Sequence, residues 1–111
     1  MASTLERTFM YYLRALAPEW AEAAVEQYRI VPGRRYAWDV AFVEQRVAIE
    51  LQGGLWSAGA HSRPKGILRD YDKHNLAVAH GWRCLYFAAD HLEDDPADVI
   101  AQVKSVLERA S

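Results

Sequence analysis

The sequence predicts an α/β fold, a mixed four-stranded sheet flanked by helices in the order α-β-β-β-α-β-α. Three observations point to it. Residues 4 to 16 carry apolar side chains at helical spacing. Four short apolar runs follow, separated by Pro-Gly, by a polar pair or by longer polar stretches. The last two runs are joined through a helix-patterned segment, the kind of connection that parallel strands require.

Each element has its own local signals. Ser3 and Glu6 fit a capping box, with serine at the cap and glutamate at the third helical position. The helix runs to about Leu16, where Leu5, Phe9, Tyr12 (or Leu13) and Leu16 share one face, and Pro18 interrupts it. A short helical stretch is expected around Trp20 to Ala24. Val25 to Val31 reads as a first strand, ended by Pro32-Gly33. Tyr36 to Val43 and Arg46 to Gln52 read as the second and third strands, linked by Glu44-Gln45 as a hairpin. Gly53 to Lys65 is polar and glycine-containing, hence a loop. Gly66 to His80 is helix-like, and Gly81 suits its end. Trp82 to Phe87 is the fourth strand. Asp95 caps a final helix with Pro96 at its first position, and Val99, Val103, Val106 and Leu107 line its inner face. The third and fourth strands should be parallel with a right-handed crossover.

A chain of 111 residues is expected to form one domain across its full length. No apolar run is long enough to span a bilayer, and the first residues lack a signal-peptide pattern. The single cysteine, Cys84, has no partner within the chain, so a reduced, cytoplasmic protein is the simple expectation. The net charge of −2 does not announce a nucleic-acid binder. Its distribution is more informative. Arg29, Arg34, Arg35, Arg46, His61, Arg63, Lys65, Arg69, Lys73 and His74 precede an acidic segment holding Asp90, Glu93, Asp94, Asp95 and Asp98. One basic face is compatible with that pattern, as is ordinary solvated surface charge.

Two carboxylates interrupt otherwise apolar strands. Asp39 lies between Trp38 and Val40, and Glu50 between Ile49 and Leu51. Burying such a charge is costly unless it is paired or binds a metal. Alone, either acid is accommodated simply, Asp39 by pairing with an arginine such as Arg35 and Glu50 by facing solvent. Together on adjacent strands they favour a shared site. Glu50 and Gln52, two residues apart, face the same way. Two carboxylates and a backbone carbonyl can bind magnesium, with manganese as a substitute, and leave positions for water and a phosphate oxygen.

Asp39 followed on the next strand by Glu50-x-Gln52 resembles the PD-(D/E)xK nuclease superfamily. Further segments extend the likeness: Arg34-Arg35 before Trp38-Asp39, Gly53-Gly54 and Trp56 after Gln52, then Gly59 and His61, Asp70, Lys73, Asn75 and Ala77, and finally Gly81-Trp82-Arg83. In that order they resemble the small single-domain nucleases near the very-short-patch-repair endonucleases, whose related domains occur widely in bacteria and phages. The likeness covers roughly residues 3 to 90. It implies a restriction-endonuclease-like core and a Mg2+- or Mn2+-dependent endodeoxyribonuclease acting on intracellular DNA. Asp39 and Glu50 would hold the metal, and a metal-activated water would hydrolyse the phosphodiester.

The departure from the pattern is at position 52, where the superfamily usually has lysine. Gln52 can orient water but brings no charge. Glutamine serves as it stands, or Lys73 on the following helix supplies the cation; Lys73 would otherwise be a surface lysine paired with Asp70 or Asp72. Glu6 matches the first-helix glutamate that reaches the metal in many members, and it also completes the capping box. The resemblance gives His61 a phosphate contact or a proton-transfer role, against a plain exposed loop histidine. Arg34, Arg35, Arg63, Lys65 and Arg69 are candidate phosphate contacts, which confer affinity without reading sequence. Trp56 stacks on a base or packs under its loop, while Trp38, Trp82, Tyr86 and Cys84 are expected in the core. Two other functions remain open: a non-catalytic DNA-binding module that kept the fold, and a Holliday-junction resolvase acting as a homodimer.

Overall fold

The first helix, α1 (Thr4–Leu16), begins where the sequence places it. Ser3 Oγ accepts a hydrogen bond from the Glu6 amide at 3.1 Å, which is one half of the expected capping box. The Glu6 side chain does not close the other half; it turns inward and is buried. Phe9, Met10 and Leu13 are buried, but Leu16, expected on the same face, is exposed because the helix ends there. The short helix α2 spans Pro18–Ala21, earlier than Trp20 to Ala24, since proline's fixed φ suits a first helical position. The structure, a computed structural model, describes residues 3–53 and 64–111.

The strands are β1 (Ala24–Arg29), β2 (Ala37–Phe42), β3 (Val47–Gln52) and β4 (Arg83–Ala88), in the sheet order β1-β2-β3-β4. β1 stops two residues short of the expected Val31, because its last partner is the first residue of β2, in the pair Arg29↔Ala37. β1 and β2 are antiparallel, as are β2 and β3, whose turn closes through Arg46 at φ +55°. β3 and β4 are parallel, with Glu50 level with Tyr86 and Gln52 with Ala88. Their connection includes α3 (Pro64–Ala79), which ends at Gly81 with φ +85°, a left-handed conformation that costs glycine little.

Two helices follow β4. The last, α5 (Pro96–Ala110), is capped as expected, with Asp95 Oδ1 accepting from the Asp98 amide at 3.1 Å. Before it lies α4 (Ala89–Asp94), a helix that the sequence does not predict between the strand end at Phe87 and the cap at Asp95. Six residues are too few to display a helical period, and its start is fixed by His91 Nδ1 accepting from the Ala88 amide at 2.9 Å.

Apolar residues gather in two clusters. One joins α1 and α5 to the sheet through Phe9, Leu13, Val40, Phe42, Ile49, Val103 and Leu107. The other contains Trp38, Ala41, Ala48, Ala77 of α3 and Trp82. Val40 and Trp38 are two residues apart yet fall in different clusters, so β2 departs from regular strand alternation at Asp39 between them. No helix among the described residues is long and apolar enough to cross a membrane.

Candidate functional site

The departure in β2 lies where the β2–β3 ladder ends. Regular pairing stops at Val40↔Ile49, and the next step would set Asp39 level with Glu50. There the Asp39 side chain takes over as ladder partner: Oδ2 accepts from the Leu51 amide at 2.7 Å. The expected alternative for Asp39, an ion pair with Arg35, is not what the side chain does. Oδ1 accepts from Gln27 Nε2 of β1 at 3.1 Å, and the same Nε2 donates to Glu6 Oε1 at 2.9 Å. Glu6, Asp39 and their shared amide therefore form one chain of contacts between α1, β1 and β2.

On β3, Glu50 meets Lys73 of α3. The Lys73 Nζ lies 2.5 Å from Glu50 Oε2 and 2.7 Å from the Ala37 carbonyl oxygen, so the ammonium donates to both. The two side chains are only 13% and 17% exposed. The indole of Trp38 lies beneath the ammonium, 4.9 Å from ring centroid to nitrogen, a cation–π arrangement. Trp38 in turn stacks on Tyr86 at 5.7 Å with 19° between planes. Lys73 is thus no surface lysine of α3. Asp72, one of its candidate partners, accepts instead from the Tyr36 hydroxyl at 2.9 Å and lies 3.8 Å from Arg34.

Burial pushes the Glu50 carboxyl up to about 7; Lys73 opposes that rise, and nearby Asp39 adds to it. Such a group is poised to gain from a cation. Glu50 Oε1 and Glu6 Oε2 are both buried and lack a hydrogen-bond partner among the described residues. No three His, Cys, Asp or Glu side chains among those residues converge closely enough to hold an ion by themselves. The carboxylates gathered here are Asp39 and Glu50, with Glu6 joined to Asp39 through the Gln27 amide.

Glu50 and Lys73 open onto a cleft of about 520 Å³ that is also lined by Gln52, Asp70, His74 and Tyr86. Gln52 stands beside the pair, as expected from its spacing. Tyr86, expected in the core, is 44% exposed, and its hydroxyl lies 2.8 Å from His74 Nδ1. Arg34, Arg35 and Arg69 are exposed. His61, Trp56 and Arg63 lie outside the described residues, as does the side chain of Lys65.

One solved structure shares this arrangement of elements throughout. It is described as "Homing Endonuclease I-Bth0305I Catalytic Domain", and it superposes with a TM-score of 0.71 over 98% of this chain and 98% of its own, at 19% sequence identity. The chain has the fold of an endonuclease catalytic domain. No described protein family matches the sequence, and no curated protein does. In this endonuclease fold the residues that sequence reasoning missed are Gln27, His74 and Tyr86. Tyr86 had a usable signal, because parallel pairing sets it level with Glu50. Gln27 had none: a lone amide in an edge strand reads as surface.

Proposed function

We propose that the protein is a metal-dependent DNA endonuclease of the PD-(D/E)xK superfamily, of the very-short-patch-repair-like group. The observation that carries this reading is the Lys73 ammonium at 2.5 Å from Glu50, in a site shared with Asp39. It supplies the cation that Gln52 lacks. Asp39 and Glu50 would hold a magnesium ion, for which manganese would substitute. The fit rests on their donor chemistry and on the unpartnered, buried Glu50 Oε1. Glu6, with its own unpartnered oxygen, is the third candidate ligand.

When bound, the ion supplies Lewis-acid polarisation of the phosphate and a more acidic water. The chain's own groups do the rest. Lys73 has three donor hydrogens, and two go to Glu50 and Ala37, leaving one for a phosphate oxygen or the attacking water. Its charge offsets the negative charge that grows in the transition state. Gln52 orients water by hydrogen bonds. Arg34, Arg35 and Arg69 hold flanking phosphates, with Arg63, Lys65, His61 and Trp56 as further DNA contacts.

The test is a cleavage panel of single strands, duplex, mismatched duplex, flap and four-way junction with magnesium, manganese or chelator. Cleavage that needs the divalent ion and disappears in Asp39→Ala and Glu50→Ala is expected. Equal nicking by both variants and the parent would overturn the reading. Tight binding with no cleavage would favour a DNA-binding module, and paired cuts in the junction would favour a dimeric resolvase.

A further inference from the structure

Gln27 lies within β1, at an edge of the sheet, with a backbone φ of +51°. Residues with a side chain avoid this left-handed region, above all inside a strand. The neighbouring pairs Glu26↔Val40 and Tyr28↔Trp38 are regular, which sets Gln27 level with Asp39. The irregular residue is therefore the one whose side chain reaches the site. Its Nε2 donates to Glu6 Oε1 at 2.9 Å and to Asp39 Oδ1 at 3.1 Å. An amide nitrogen carries two hydrogens, and both are committed. Two carboxylates from separate elements would otherwise repel each other, and a neutral double donor between them fixes their spacing. Backbone strain of this kind persists only where surrounding structure enforces it, and it gathers at functional sites.

We propose that Gln27 is a positioning residue: its amide clamps the Glu6 and Asp39 carboxylates at a set separation for a divalent cation, and its left-handed backbone delivers the amide to that place. This rests on reading those carboxylates as an ion site. Two variants separate the amide from the backbone. Gln27→Ala loses the amide and keeps the strain, while Gln27→Gly loses both. In ordinary strands alanine is the more stable of the two residues; here the order reverses.

The experiment uses the full chain, freed of metal with chelator and then dialysed. Thermal unfolding is followed in chelator, and Mn2+ binding is measured by the paramagnetic resonance of the free ion, with Asp39→Ala as control. Both Gln27 variants are expected to bind Mn2+ about 10- to 100-fold more weakly than the parent, as when a partner that orients metal ligands is removed. Gln27→Gly is expected to melt at a higher temperature than Gln27→Ala. Variants that bind Mn2+ within twofold of the parent overturn the clamp, and an alanine variant as stable as the glycine variant overturns the role of strain. A parent that binds Mn2+ no better than Asp39→Ala overturns the ion site itself, a failure distinct from the first two. Gln27→Gly, relieved of strain, keeps the binding test available if the alanine variant does not fold.

Discussion

The ammonium of Lys73 sits 2.5 Å from the carboxylate of Glu50, although one belongs to α3 and the other to β3. The pair fixes helix to sheet at the mouth of the cleft. Neither charge is well solvated, so each depends on the other. Lys73→Ala is expected to cost about 1–3 kcal/mol, the usual penalty when a buried polar group loses its partner. It should also lower DNA cleavage about 10²- to 10³-fold, the typical loss when a preorganised donor is removed from a transition state. Denaturant unfolding and single-turnover cleavage measure the two effects separately. Full activity in Lys73→Ala would return the task to Gln52.

The raised Glu50 carboxyl gives a pH prediction with a definite sign. Its folded-state value of about 7 lies above the ordinary 4.5. The folded chain therefore holds this proton more tightly than the unfolded chain, and folding gains most from it below 4.5. That contribution is lost as pH rises from 4.5 to about 7. Melting temperatures in chelator should show this loss in the parent, while Glu50→Gln, which cannot ionise, should be flatter across the window. Identical slopes would mean that Glu50 is solvated and ordinary.

A divalent ion should reverse the penalty for ionising Glu50. Mn2+ or Mg2+ that binds only the folded chain adds about 2.7 kcal/mol to its stability at a hundred times Kd, so the unfolding temperature rises with ion concentration. Asp39→Ala and Glu50→Ala should show no such rise, and chelator should abolish it in the parent. Calorimetric melts over a range of ion concentrations give the answer without any DNA present.

Gly81 offers a check of the fold apart from the site. Its φ of +85° is left-handed, and a Cβ there would come within 3.2 Å of the Arg46 guanidinium. The arginine tip can move aside, so the backbone conformation dominates. Gly81→Ala should destabilise the chain by about 1–2 kcal/mol. An unchanged denaturation midpoint would show that the α3 end relaxes freely.

The sequence made the sheet legible because each strand was an apolar run bounded by clear punctuation. Parallel pairing of the last two followed from the helix-patterned segment between them. Asp39 and Glu50 stood out because a charge inside such a run needs a reason. Lys73 was legible only as a possibility, since its spacing on α3 does not say which way the helix faces. The sheet decides that, through Ala77 packing against the Trp38 cluster. Gln27 was beyond reach, because a left-handed residue in an edge strand leaves no trace in composition or periodicity. The break in β2 alternation was hidden for the same reason: Trp38 and Val40 look equivalent until three dimensions separate them.

The core cluster that packs α1 with α5 has a consequence for how the molecule acquires its site. Glu6 is carried by a helix whose apolar face is covered by residues close to the other end of the chain, Val103 and Leu107 among them. Contacts this distant in sequence form slowly, since the intervening loop must first be closed. Amide exchange followed during refolding should therefore find the β2–β3 hairpin protected early and α1 late. The acidic centre would then mature only when α1 and α5 have docked.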